Sequence, residues 1–484
     1  MVFSNAVFLF LFLPITTLVY YGLLRRSLSA RNVWLLLVSL GFYAWGEPVY
    51  VFIMLLSICT NFFLAKAVAG KNGTSQGKWI VAVACVFNLG ILFAFKYLPW
   101  ILGDILHVQS GLSRIALPIG ISFYTFQSLS YVIDVYRGTE EPQHSVLDAG
   151  LYISFFPQLI AGPIVRYGTV SAQIRGRTHT FAKFSDGVQR FVVGLTKKIL
   201  IANSLAPLAE FAYSAEQLSV LLAWLGSLGF MVQLYFDFSG YSDMAIGLGK
   251  MFGFEFNENF NYPYISKSIS EYWRRWHISL GEWFRDYLYH PVSATLGRHI
   301  RKSLKPLVGN KTAVKAEYVS SIFAVWVFTG IWHGANWTFL VWGMMNFVVI
   351  MIETFAPQGK STPVRNVLRV LRTWFIILMF KTMFNAHSLS HALSYYASLF
   401  HLNNNAIADA NGLYYLGQYR FLLLVGILFS LPIVNLAEAF CKRKSERLGV
   451  WSVRAKKITL ILLFALDVCY AIGGSYNPFL YFNF

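Results

Sequence analysis

Residues 318–352 read YVSSIFAVWVFTGIWHGANWTFLVWGMMNFVVIMI, a stretch without an Asp, Glu, Lys or Arg. It holds two apolar runs, near 318–333 and 337–355, each approaching the roughly 20 residues that a helix needs to cross a bilayer. Between them stands His333, flanked by Gly330 and Gly334. An imidazole at membrane depth must find a hydrogen-bond partner or a wet cavity to offset its desolvation.

Working outward, similar runs lie near residues 6–24, 33–46, 49–65, 79–95, 116–135, 147–165, 219–236, 372–384, 419–439 and 457–473. Composition agrees: 56% of the 484 residues are hydrophobic, 17% aromatic and only 13% charged, where a soluble domain carries about a quarter charged. The fold expected is all-α, a polytopic transmembrane helical bundle of about 10–12 spans. The first run lacks the basic leader of a signal peptide and is followed by Arg25 and Arg26, so it reads as a retained span. Cys59, Cys85, Cys441 and Cys469 show no CxxC spacing and read as small core hydrophobes.

The formal charge of +18 would suggest nucleic acid in a soluble protein. Here the basic residues cluster between apolar runs, so positive-inside topology explains them and no nucleic-acid partner is expected. Met1–Asn5 has no basic residue and should lie outside the cytoplasm. The basic stretches 166–198 and 267–315 should face it, where they would attract anionic lipid headgroups and a phosphate-bearing donor. The second stretch begins SISEYWRRWHISLGEWFRDYLYHP. Its interleaved aromatics and arginines predict an interfacial or re-entrant helix, with Ser270 as a candidate cap. The Asn- and Gly-rich residues 402–417 read as an extramembrane loop.

No GxxxxGK[ST], HExxH or GxSxG appears, which argues against nucleotide hydrolysis, zinc peptidase and ordinary serine esterase chemistry. No metal site is indicated. If the helix holding His333 continued, Asn336 would share its face, and with the Gly334 amide it would be a candidate oxyanion donor. Helical spacing would set Trp273 and Gly281 on the face of His277. Each histidine also has a bland reading: His333 as a hydrogen bond between helices, His277 as a solvated interfacial ring. Asp237 and Asp243 follow an apolar run, where carboxylates are costly unless paired. They either pin helices together through Arg or Tyr partners or serve a proton-coupled secondary transporter.

Five segments carry a resemblance: FYTFQSLSYVIDVYRG, FFPQLIAGPIVRY, LYFDFSGYSDMAIGLGKMFGFEFNENFNYPY, YWRRWHISLGEWFRDYLY and GIWHGANWTFLVWG. In order and spacing they resemble the membrane-bound O-acyltransferase family, in its alginate O-acetyltransferase branch, across essentially the whole chain. The resemblance implies one integral membrane domain over 1–484: N-terminal helices 1–110, a catalytic core 111–355 and C-terminal helices 356–484. It implies a central tunnel, a cytoplasmic donor, acetyl-CoA, with no bound cofactor, and O-acetylation of an extracytoplasmic, alginate-like polysaccharide.

His333, in the WHG motif, and His277, in WHISL, would be catalytic by this resemblance. Asn336, Gly334, Asp237, Trp273 and Arg285 are the tunnel or positioning residues expected. A separate periplasmic or surface SGNH-type partner would place the acyl group on the polymer, and the location implied is the bacterial cytoplasmic (inner) membrane. At YLYHPVSATLG the chain departs from relatives that carry a glycine pair after the proline. Two alternatives remain open beside the transporter: D-alanyl transfer to teichoic acid, and a scaffold for polysaccharide export.

Overall fold

The computed structural model describes residues 1–108, 111, 115–160, 162–357 and 359–473. Among them every regular element is a helix, with one antiparallel bridge between Phe260 and Trp276. Seven helices are long and apolar enough to cross a membrane: Val51–Val68, Ser75–Ile105, Phe181–Ser214, Val220–Met251, Ile278–His333, Trp337–Phe355 and Ala410–Phe429. A shorter apolar helix, Phe8–Leu23, precedes them. Helices satisfy their own backbone in hydrocarbon, so this is an all-α, multi-pass membrane protein.

Two of the expected runs form shorter helices. The run 116–135 becomes the 17-residue helix Ile121–Arg137. The run 147–165 yields the nine-residue helix Val146–Ser154 and, after a break at Phe155 (ψ 114°), the four-residue helix Phe156–Leu159 with Pro157 in its first turn. Proline is tolerated in the first turn of a helix but not in its interior, so the first helix ends before Pro157 and a new one starts around it. The amide this break exposes is not lost, because Phe156 N donates to Ser39 Oγ at 3.0 Å. Residues 402–417 are not all loop either. Asp409 caps a helix by accepting from Gly412 N, and Ala410–Phe429 follows. None of the four cysteines is buried, so they are not core residues.

The chain forms two compact units interleaved in sequence. One holds Met1–Ile199, Gly240–Glu258 and the end of the last helix from Leu460; the other holds Leu200–Ser239 and Asn259–Thr459. In the first unit, polar pairs join apolar helices. Asn61 and Asn88 exchange reciprocal amide bonds at 3.1 and 2.7 Å between Val51–Val68 and Ser75–Leu92. Such bonds are a usual device where hydrophobicity cannot drive helix association.

The same unit ties its basic loop down through His179. Arg31 Nη1 donates to His179 Nδ1 at 3.1 Å, so the ring proton sits on Nε2 and is donated to the Tyr20 oxygen at 2.8 Å. Tyr20 in turn donates to the Phe252 carbonyl at 2.9 Å and accepts from Arg177. Burial, and then the Arg31 and Arg177 charges, push the His179 pKa down from 6.5 to about 4. Between about pH 6.5 and pH 4 the unfolded chain therefore holds the extra proton. Stability should be full above that window and fall as pH is lowered through it. Thermal unfolding in detergent at pH 7.5 and 5 checks this: His179→Gln, which can still accept and donate, should lose less stability on acidification than the parent.

Candidate functional site

The second unit assembles a site from three pieces of chain. After the helix Val220–Met251, residues 259–261 run antiparallel to 275–278. Asn261 N donates to Arg275 O at 2.9 Å and Ile278 N to Asn259 O at 3.0 Å. Between them the short helix Ile269–Trp273 is capped by Ser268, not Ser270, and its first amides donate to the Glu353 carboxylate, itself bound by Arg372. The pairing forces His277 into a left-handed conformation (φ 47°, ψ 52°). That geometry is uncommon for a residue with a side chain and persists only where its surroundings hold it. The helix is thus interrupted, and Trp273, His277 and Gly281 do not share one face.

The same pairing sets the imidazole. His277 Nδ1 lies 3.1 Å from Asn259 Oδ1, which also accepts from Ser279 N at 3.2 Å and Ser279 Oγ at 2.9 Å. An amide oxygen only accepts, so the ring proton is on Nδ1 and the Nε2 lone pair is the basic end. The ring is 2% exposed, lies edge-on to Phe238 at 4.7 Å, and its Nε2 is buried without a hydrogen-bond partner among the described residues. This is not a solvated interfacial histidine.

His333 is the last residue of its helix, which is kinked at Gly309 and gives way to extended backbone at Gly334. Its ring is 8% exposed and lies 4.9 Å from Trp332, 4.9 Å from Trp342 and 5.2 Å from Phe384, all three edge to face. Trp332 also lies 6.3 Å from the His277 ring. The two imidazoles are therefore walled by a common indole.

The other expected residues are placed as follows. Because the helix stops at His333, Asn336 does not share its face. It caps the next helix, Oδ1 accepting from Thr338 N and Nδ2 donating to His387 O, both at 3.0 Å. Gly334 does not leave room for a ligand, since a Cβ there would meet the Phe339 ring at 2.2 Å. Trp273 donates to Asn346 Oδ1 at 2.8 Å and packs on Trp342, in contact with the wall of the His333 site. Asp237 is buried, one residue before the Phe238 that packs on His277. Arg285 pairs with its neighbour Asp286 at 2.8 Å and is more than half exposed. Among the described residues no group of three or more His, Cys, Asp or Glu is placed to hold a metal.

Asn259, Phe384 and the bridging role of Trp332 were not read from the sequence. Asn259 lies 18 positions from His277, a spacing that neither helical nor strand periodicity links.

Comparison with known proteins adds to this geometry. The sequence model of the MBOAT, or membrane-bound O-acyltransferase, family matches residues 142–398. A probable alginate O-acetylase of Pseudomonas aeruginosa is 35% identical, with 100% of each chain covered. A peptidoglycan O-acetyltransferase of Helicobacter pylori is 29% identical over 100% of this chain and 98% of its own. A teichoic acid D-alanyltransferase of Bacillus subtilis is 28% identical over 49% of this chain and 59% of its own.

Proposed function

The chain belongs to the membrane-bound O-acyltransferase family, and from that premise we propose that it transfers acetyl groups from cytoplasmic acetyl-CoA for O-acetylation of an extracytoplasmic, alginate-like polysaccharide. The observation that carries this reading is the pair of buried imidazoles walled by Trp332. They stand in a chain that aligns end to end with an alginate O-acetylase, whereas the D-alanyltransferase covers only 49% of it.

A hydroxyl is a poor nucleophile at neutral pH, and a neutral imidazole can remove its proton as it attacks the acetyl thioester. In this reading His333 takes that proton and His277 acts from the basic Nε2 that Asn259 leaves available. A water-filled tunnel would bring donor and acceptor to the two rings, and a separate SGNH-type partner outside the bacterial inner membrane would complete delivery. The transporter reading loses one of its carboxylates, because Asp243 is clamped by Arg190 and Lys197 at 2.6 Å each.

Acetyl ester content of the exported polymer in a strain lacking the gene tests the reading. It should fall and be restored by the intact gene, with D-alanyl esters untouched. Unchanged acetyl content would refute it.

Asn259 supplies a finer test. Replacing it with alanine frees the His277 ring to adopt either tautomer, and residues that orient a working imidazole cost about tenfold to a hundredfold when lost. Asn259→Ala should lower acetyl transfer by that factor and alter its pH profile. A rate and profile equal to the parent would show that the tautomer is irrelevant.

A further inference from the structure

Lys381 stands in the helix Pro363–Asn385 and is 3% exposed. Its Nζ lies 4.1 Å over the Trp276 ring and 5.4 Å from the Phe384 ring. Trp276 precedes His277 in the chain, and Phe384 packs on His333 at 5.2 Å. The lysine is thus held between Phe384, which packs on His333, and Trp276, the residue before His277.

A structural lysine in a membrane protein is normally buried against a carboxylate. This fold does so elsewhere, where Lys197 meets Asp243 at 2.6 Å. Lys381 has no such partner: among the described residues it meets only the two aromatic faces, and its ammonium has no hydrogen-bond acceptor. Aromatic faces attract a cation but accept none of its hydrogen bonds. A buried cation left in that condition is costly, and an anion arriving from outside the chain would offset the cost.

We propose that Lys381 is the anion subsite of acyl transfer, its Nζ holding the negative charge that develops on the acyl carbonyl oxygen. The inference rests on the acyl-transfer reading above. As the acceptor hydroxyl attacks the thioester, a C–O bond forms and the carbonyl π pair moves onto oxygen, facing the ammonium. His333 takes the hydroxyl proton. When the intermediate collapses the C–S bond breaks, and the leaving sulfur receives that proton. Lys381 neither gains nor loses a proton in the step; in its protonated form it places positive charge where negative charge develops.

Lys381→Met tests this in the full-length protein, because methionine is unbranched and keeps much of the volume without the charge. Loss of one such donor costs about 100- to 1,000-fold in kcat, with the acetyl-CoA KM little changed. The variant should melt no lower than the parent, since replacing a buried charge with an apolar group is often neutral or stabilising. A purely structural lysine would behave otherwise, Tm and activity falling together. A loss of kcat of about tenfold or more with Tm maintained supports the subsite; a smaller loss, or a loss accompanied by a lower Tm, overturns it. The unsubstituted protein is assayed first: if it transfers no acetyl group from acetyl-CoA, the acyl-transfer reading itself fails and the subsite with it.

Discussion

His333→Ala should lower acetyl transfer by about 100-fold to 10,000-fold, the range that one positioned base supplies. The ring closes an apolar helix and is enclosed by Trp332, Trp342 and Phe384, so no neighbouring side chain in that wall can take a proton in its place. Truncation also leaves a cavity among these rings, and a cavity lowers stability. His333→Gln separates the two effects, because it keeps volume and polarity but has no basic nitrogen. Both variants should be equally inactive, with the glutamine variant melting closer to the parent. The measurement is label transferred from acetyl-CoA to polymer, normalised to folded protein. A folded His333→Gln protein within about tenfold of the parent rate would remove His333 from the chemistry.

Much of this was legible because membrane helices are written in composition. Apolar runs such as 337–355 map directly onto helices, Trp337–Phe355 among them, since hydrocarbon permits little else. What composition hides is where a helix is interrupted. The 147–165 run is mostly apolar yet breaks at Phe155, because Pro157 cannot continue the preceding helix and instead stands in the first turn of a new one, while Ser39, more than a hundred positions away, rescues the exposed amide. The histidines stood out in the string because imidazoles beside apolar runs need a reason. Their surroundings did not. Face arguments around His277 assumed a continuous helix, and its left-handed backbone removes that continuity. The one around Asn336 failed where the helix ends at His333. Asn259 and Lys381 reach the site only through tertiary pairing, which no local period encodes.

Asp243→Ala should be the most destabilising of the substitutions considered, by about 2 to 4 kcal/mol. Breaking a buried ion pair costs about 3 to 5 kcal/mol when the remaining charge is stranded. Here the figure is reduced because the Arg190 and Lys197 side chains keep 34% and 23% of their exposure and Arg190 retains Glu258 at 2.5 Å. The effect remains large because of how the two helices meet. A Cβ at Gly187 would lie 2.6 Å from Gly247 O, and one at Gly194 would lie 2.5 Å from Gly240 O, so backbones touch on either side of Asp243. Small residues let membrane helices approach this closely, and that approach brings Arg190 and Lys197 within reach of one carboxylate. With the carboxylate gone, two cations are held together and only partly solvated. Thermal unfolding in detergent should show the loss. Combining Lys197→Met with Asp243→Ala should recover part of it, because the stranded charge goes too. Acetyl transfer per folded molecule should stay near the parent value for both, since this clamp holds helices and does no chemistry. An Asp243→Ala protein that melts with the parent would show that the glycine contacts alone hold the seam.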